Sequence, residues 1–260
     1  MKDTDISEAP ATTGELTDVT WGALVEKFKN WNGISNGVLL FNNRINFILS
    51  KYPADFFKGK RILELGAYNG YIGAYFSALG AEVHCVEGRQ ENVDNIKKDY
   101  PNVTVECADL DTSIWNFGKW DIIINFGLYY HLEKFHKEHL QNCISNCDLM
   151  FFETVIYDSS EPDIYFRNEV GDDQSLTSIG GTPSTSYVEN ILKEYNMQYK
   201  KYTDPFLNNF EHKYDWPDTG FNSFNQFHRS YFSCHPQHGR CYISNWCPST
   251  SCICGNNNKT

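Results

Sequence analysis

A chain of 260 residues with 41% hydrophobic and 15% aromatic content is long enough for one large α/β domain with additions and can build a real core. Its net charge of −11 comes with only the short pairs Lys97-Lys98 and Lys200-Lys201 and no basic stripe, which argues against a protein that grips long nucleic acid by its phosphates. No apolar run approaches the roughly 20 residues that span a membrane, and Met1 to Glu8 holds no apolar signal region, so no membrane association and a cytoplasmic address are expected.

Residues 1–18 are polar and acidic, with Pro10 and Gly14, and read as a flexible leader. Trp21, Leu24, Val25, Phe28 and Trp31 then recur at helical spacing, with Thr20 placed to cap them. A second helical pattern runs through residues 37–57, so 19–57 reads as an N-terminal helical addition. Arg44 lies among the apolar residues of that pattern. An arginine so placed either snorkels to the surface or clamps a substrate carboxylate.

Arg61 to Gly73 reads as strand, glycine loop and helix. Ile62 to Leu65 is the short apolar run of a buried parallel strand. Gly66 and Gly70 break it, and Tyr71, Ile72, Tyr75, Phe76 and Leu79 follow at helical spacing. Glycine lets a ligand approach the backbone, and a helix N-terminus behind it offers unpaired N–H groups and a positive dipole end. The stretch is therefore expected to hold a small polar or anionic group. A dinucleotide fingerprint, G-x-G-x-x-G, fails here because Tyr68 follows Gly66 by two. What fits is acidic-x-Gly-x-x-x-Gly, with Glu64 as the acid.

Glu82 to Gly88 is a second strand that ends in an acid, Glu87, where nucleoside-binding α/β folds hydrogen-bond a ribose. A helix over Arg89 to Tyr100 stops before Pro101. Val103 to Leu110 is a third strand closing with Asp109, which otherwise serves as a turn cap. Trp120 to Phe126 is a fourth strand leading into Gly127-Leu128-Tyr129-Tyr130-His131-Leu132. Glu133 to Cys147 is helical, and Asp148 to Tyr157 is a fifth strand, with Glu153 either reaching an acceptor pocket or held as a satisfied buried acid. Residues 158–183 form a long polar insertion, functional or disordered at that length. A helix from Ser184 or Ser186 to Asn196 and a strand over Met197 to Thr203 follow. A second, aromatic and polar insertion covers 205–227, and Arg229 to Ser233 is a last strand that pairs with the one before it. The main domain thus runs from 58 to 234, and 235–260 is an irregular tail.

Of nine cysteines, Cys85 and Cys107 fall in strands and read as core thiols, and Cys143 and Cys147 share a helix. Five come late, near His235 and His238, and raise the question of zinc. Their spacing is irregular and contains no CxxC pair, so no metal site is expected.

Strands alternating with helices imply right-handed crossovers and a parallel sheet, whose ligands bind at the carboxyl ends of the strands. Glu64, Glu87, Asp109 and Asn125 stand at four successive strand ends behind a glycine loop.

Over residues 55–157 the segments Gly59 to Gly66, Val86-Glu87-Gly88-Arg89 and Gly127 to Leu132 resemble class I S-adenosylmethionine-dependent methyltransferases. Their first motif is E/D-x-G-x-G-x-G, with Tyr68 here at the middle glycine. Gly127 to Leu132 resembles the Gly-x-Leu-Tyr-His segment of a branch that includes enzymes carboxymethylating a hydroxyuridine at the tRNA wobble position, with one tyrosine more. Asp172 to Ser175 and Pro183-Ser184 look like methyltransferases acting on small molecules or linked to polysaccharides. The resemblance implies an α/β, Rossmann-like, mostly parallel seven-stranded sheet flanked by helices, with a C-terminal antiparallel hairpin. It implies S-adenosylmethionine as cofactor. Gly66, Asn69 and Gly70 would face its methionine part, Glu87 beside Gly88 the ribose, and Asp109 with Leu110 the adenine. Asn125 and Gly127 would lie beside the transferring methyl, and Glu64 would order the loop and the amino group.

An oxygen acceptor also needs a base. His131 is the candidate base and Tyr130 the substrate positioner, unless His131 caps the following helix or packs the loop. The segment is not Asn-Pro-Pro-Tyr, which disfavours the exocyclic amine of a base or a glutamine amide as acceptor. O-methylation of a small molecule or sugar is the leading expectation. Its rivals are a tRNA wobble-uridine modifying transferase and, from other classes, a non-catalytic nucleotide-binding module or an NAD-dependent oxidoreductase.

Overall fold

The computed structural model describes residues 44–171, 173–202 and the backbone of 227–235. Expectations for the leader, the helix from Trp21, most of the 205–227 insertion and the cysteine-bearing tail lie outside those residues.

Residues 44–51 are helical (α1), followed by a single turn at Ala54–Phe57. Then come β1 (Arg61–Leu65), α2 (Tyr71–Ala78), β2 (Glu82–Glu87), α3 (Gln90–Asp99), β3 (Thr104–Cys107) and β4 (Trp120–Phe126). After a turn at Tyr129–His131 the chain continues as α4 (His136–Ser145) and β5 (Cys147–Tyr157). It closes with β6 (Ile164–Asn168), β7 (Ile179–Pro183), α5 (Thr185–Glu194), β8 (Gln198–Tyr202) and β9 (Phe227–His235).

Seven strands form one sheet in the order β3-β2-β1-β4-β5-β9-β8. β1 to β5 pair in parallel, and β9 runs antiparallel to both β5 and β8. This is the mostly parallel seven-stranded sheet with a C-terminal antiparallel hairpin that the sequence predicts. Both faces are covered, as a parallel sheet requires. Ile62, Ile122, Ile124 and Phe151 pack against α1, α2 and α3 residues such as Phe47, Phe76 and Ile96. Leu63, Leu65, Ile123, Met150 and Phe152 face the other way, onto Leu140 and Ile144 of α4 and Val188, Ile191 and Leu192 of α5. Alternate residues of one apolar run thus feed two cores, each buried side chain contributing about 1.5–3 kcal/mol.

The register aligns the strand ends that matter. Leu65 lies opposite Val86 and Asn125, Glu87 opposite Cys107, and Phe126 opposite Glu153. Turns after β1, β2, β3 and β4 therefore open on one edge.

Several local expectations are corrected. The 158–183 insertion is ordered as an antiparallel ribbon, β6 with β7, forming a sheet of its own. The third strand stops at Cys107, because Asp109 Oδ1 folds the chain back by accepting the Asp111 N–H at 2.9 Å. The following helix starts at His136 rather than Glu133. The Asp111 carboxylate accepts the N–H groups of Glu133, Lys134 and Phe135 at 2.9–3.2 Å and holds them short of the helix. Cys107, at the tip of an edge strand, is exposed rather than in the core. Cys147 opens β5, so only Cys143 is helical. Cys85 and Cys143 are buried thiols, as expected. Among the described residues no helix is long and apolar enough to cross a membrane.

Candidate functional site

The glycine loop after β1 is closed largely by the protein itself. Gly66 and Gly70 hold the left-handed backbone, φ 68° and 72°, which favours glycine. The space a Cβ would take is filled by Leu128 at 3.0 Å over Gly66 and by Ile96 at 2.9 Å over Gly70. Their bareness serves packing and turn geometry rather than the approach of a ligand to those two residues. The α2 N-terminus is occupied in the same way. Asn69 Oδ1 accepts the Tyr71 N–H at 3.0 Å, and Glu64 Oε2 accepts the Gly73 N–H at 2.8 Å and the Cys85 S–H at 3.2 Å. The acidic group at the positive end of the helix is thus the chain's own Glu64, which corrects the expectation of a ligand-binding helix end. Asn69 Nδ2 is buried and has no hydrogen-bond partner.

Burial pushes the Glu64 carboxyl up to about 7, against the opposing pull of Cys85, Gly73 and Arg44. A carboxyl raised in the folded state favours folding fully below its unfolded value of 4.5, and that contribution is lost as pH rises through about 7. The shift corresponds to about 3 kcal/mol. His139 works with the opposite sign. Burial lowers it from 6.5 to about 4, so its contribution is lost as pH falls through that range. Glu64→Gln keeps the acceptor oxygen without the charge. The variant should gain about 3 kcal/mol over wild type between pH 4.5 and pH 8, read from urea unfolding. Parallel pH curves for the two proteins would contradict the assignment.

Glu87, 6% exposed at the tip of β2, is held from three directions. Oε2 accepts the Tyr68 N–H at 2.8 Å, and Oε1 accepts the Arg89 N–H at 3.0 Å and Asn92 Nδ2 at 3.2 Å. A carboxylate has about four lone-pair sites, so room remains for one further donor on Oε2. Tyr68 holds φ 52° where the resembled motif has its middle glycine. The bond from its N–H to Glu87 fixes a backbone that L-residues otherwise resist.

The structure uses the remaining strand-end residues in different ways. Asp109 is exposed beyond β3. Leu110 is a core residue packed with Val86 and Leu140, and its carbonyl accepts His139 Nδ1 at 3.1 Å. Asn125 is fully buried and donates from Nδ2 to His139 Nε2 at 2.9 Å, while its Oδ1 has no partner. Its side chain therefore points into the core beneath α4, not toward the tip of β4. Gly88 is covered by Leu176 of the insertion, which stands 2.6 Å from where a Cβ would be.

Gly127 turns the chain at φ 72° and donates its N–H to the Glu153 carbonyl at 3.0 Å. The turn carries Tyr130, buried, and His131, whose ring lies 4.0 Å from it centre to centre, tilted by 45°. The His131 side chain is 14% exposed, with Nδ1 at 2.5 Å from Glu169 Oε2. It does not cap α4, since Asp111 holds the N–H groups ahead of that helix. Arg44 does not snorkel. It is 3% exposed and paired with Glu153 of β5, which is fully buried, and its guanidinium lies 5.3 Å over the Phe126 ring. The arginine's carboxylate partner is already in the chain.

The insertion docks across this edge. Gly181 N–H donates to the Leu132 carbonyl at 2.7 Å, and His136 Nε2 bonds the Gly181 carbonyl at 2.7 Å. Glu169 just past β6, Arg167, Asp111 and His139 all shape the site, and none stands out in the sequence. Asp111 had one usable signal, an acid two residues beyond Asp109 in a turn. Among the described residues no group of three or more His, Cys, Asp or Glu is placed to hold a metal ion.

No protein-family model matches the chain, and no curated protein matches it. Solved structures do. The N-terminal domain of EvdMO1 with SAH bound aligns with a TM-score of 0.54 at 16% identity over 85% of this chain and 98% of that one. The same domain in the presence of SAH and D-fucose aligns equally well. A putative S-adenosylmethionine-dependent methyltransferase from Listeria monocytogenes gives a TM-score of 0.55 at 11% identity, over 76% and 99%. One from Clostridium acetobutylicum gives 0.52 at 12%, over 75% and 91%. Strand order, the antiparallel β9 and these alignments agree: the chain has the fold of S-adenosylmethionine-dependent methyltransferases.

Proposed function

We propose that the chain is an S-adenosylmethionine-dependent methyltransferase that methylates an oxygen of a small molecule or sugar. The observation that carries the reading is Glu87. It is a nearly buried carboxylate at the tip of β2, tied to the glycine loop through the Tyr68 N–H and left with an acceptor site for a hydroxyl. The residues fit the cofactor in two further places. Asn69 Nδ2 is a buried donor without a partner in the loop that would face the methionine part, and an anionic carboxylate is its natural complement. Asp109 is exposed on the same edge and available to an adenine amino group.

When bound, S-adenosylmethionine supplies an electrophilic sulfonium methyl. The chain's own part is to position and to move a proton. Glu87 fixes the ribose end, and the turn from Gly127 sets His131 beside the strand tips. His131 Nε2 takes the proton of an attacking hydroxyl, which is why an oxygen acceptor is favoured. A sugar acceptor draws support from the D-fucose in whose presence the EvdMO1 domain was solved.

Glu87→Ala should weaken binding of S-adenosylhomocysteine by about 1.5–3 kcal/mol, the range for hydrogen bonds to a charged group. Unchanged affinity in a folded variant would remove the ribose assignment. The reading as a whole is tested by calorimetric titration of wild type with S-adenosylhomocysteine, carboxy-S-adenosylmethionine and NAD in parallel. Binding of the first alone supports methyl transfer. Preference for the carboxylated cofactor moves the acceptor to tRNA, and binding of NAD alone overturns the proposal.

A further inference from the structure

The structure assigns Glu169, supplied by the insertion, as the positioning residue that fixes the tautomer and orientation of His131. This rests on His131 being the base proposed above. Glu169 lies 38 residues further along the chain. It is 4% exposed, and hydrogen-bond donors meet both oxygens of its carboxylate. Oε1 accepts Arg167 Nε at 3.1 Å and Nη2 at 2.9 Å, a two-pronged grip. Oε2 accepts the Ser175 N–H at 3.3 Å and faces His131 Nδ1 at 2.5 Å. An ionised carboxylate only accepts hydrogen bonds, so His131 must carry its proton on Nδ1. That leaves Nε2 as the lone-pair nitrogen, able to take a proton from a substrate hydroxyl.

A close approach of the backbone shows that the placement is built. Gly180, on β7, is bare where a Cβ would stand 2.4 Å from the Glu169 carboxyl carbon, so a larger residue would push the carboxylate off. And although burial alone would raise it, the hydrogen bond and charge of His131, followed by those of Arg167, hold the Glu169 carboxyl below its ordinary range. It is therefore ionised whenever His131 needs an acceptor. Arg167 is the other charged group on this cluster. It grips the oxygen away from His131, so it fixes the carboxylate without competing for Nδ1.

The same insertion reaches the ribose end. Arg89, two residues past Glu87, donates from Nη2 to the carbonyls of Gln174 at 2.7 Å and Gly171 at 3.3 Å. With Leu176 seated on Gly88, one loop holds both the proton acceptor and the neighbour of the ribose carboxylate. Group transfer on this scheme balances. The hydroxyl proton passes to Nε2, the oxygen bonds the methyl, and the electron pair of the broken carbon–sulfur bond stays on sulfur.

The test compares full-length wild type, Glu169→Gln and Glu169→Asp by nitrogen-15 NMR of the His131 ring through a pH titration. Wild type should show the Nδ1–H tautomer. Glu169→Gln should weaken that preference, because a carboxamide can donate to Nδ1 as well as accept from it, and Glu169→Asp should restore part of it. In turnover, Glu169→Gln should lower kcat, with S-adenosylhomocysteine affinity unchanged. A His131 tautomer that is the same in wild type and Glu169→Gln overturns the assignment. Wild type that shows the expected NMR shift but binds no S-adenosylhomocysteine overturns the methyltransferase reading and leaves the Glu169–His131 pairing standing.

Discussion

Arg44→Met is expected to destabilise the protein by about 3–5 kcal/mol, the usual consequence of removing one member of a buried ion pair. Glu153 is fully buried, and its register partner Phe126 lies under the Arg44 guanidinium. Removing the arginine takes the opposite charge from that buried carboxylate and unlocks α1 from the strand-end edge. The pair as a whole is not expected to be stabilising, because desolvation of two charges offsets most of their attraction. Arg44→Met combined with Glu153→Leu should therefore recover most of the loss. Urea midpoints of the single and double variants decide the matter. A single variant as stable as wild type would show that the pair carries no such weight.

His131→Ala is expected to lower turnover by about 10²–10⁴-fold, the range for a positioned general base. Affinity for S-adenosylhomocysteine should be unaffected, since the ring lies on the turn after β4 and Glu87, the carboxylate proposed for the ribose, on β2. The measurement is methyl transfer to the acceptor that a screen of free sugars and small alcohols selects. Wild-type turnover in the variant would remove His131 as base and leave it a structural residue of the turn.

The sheet was legible because its signals are local. Ile62 to Leu65 and Trp120 to Phe126 are short apolar runs between turn residues, and the polar residues near their ends, Glu64 and Asn125, could be placed at strand tips from the sequence alone. The ribbon was not legible. Its first strand, Ile164–Asn168, alternates weakly and leaves Tyr165 and Phe166 half exposed, so no buried face imposes a period of two. The glycine loop was half legible. Its conformation followed from its residues, but not that Leu128, Ile96 and Glu64 would fill it, because those come from other elements. The same holds for Arg44 with Glu153 and His131 with Glu169, pairs 109 and 38 residues apart that no spacing rule connects. Asn125 shows the opposite error. Its position at a strand end was right, but alternation turns its side chain toward α4 and His139.

Among the described residues the two ribbon strands pair in register only with each other, and a parallel bridge from Tyr157 to Ser184 ties the ribbon to the end of β5. Changes in the ribbon therefore need not shift the register of any strand in the main sheet. The loop between Asn168 and Ile179 is constrained at chosen points instead: Glu169 meets His131, the Gln174 carbonyl meets Arg89, and Leu176 covers Gly88. A lineage built on this plan can diversify its chemistry at one appendage, and an engineer grafting a new recognition surface would leave those three positions as they are.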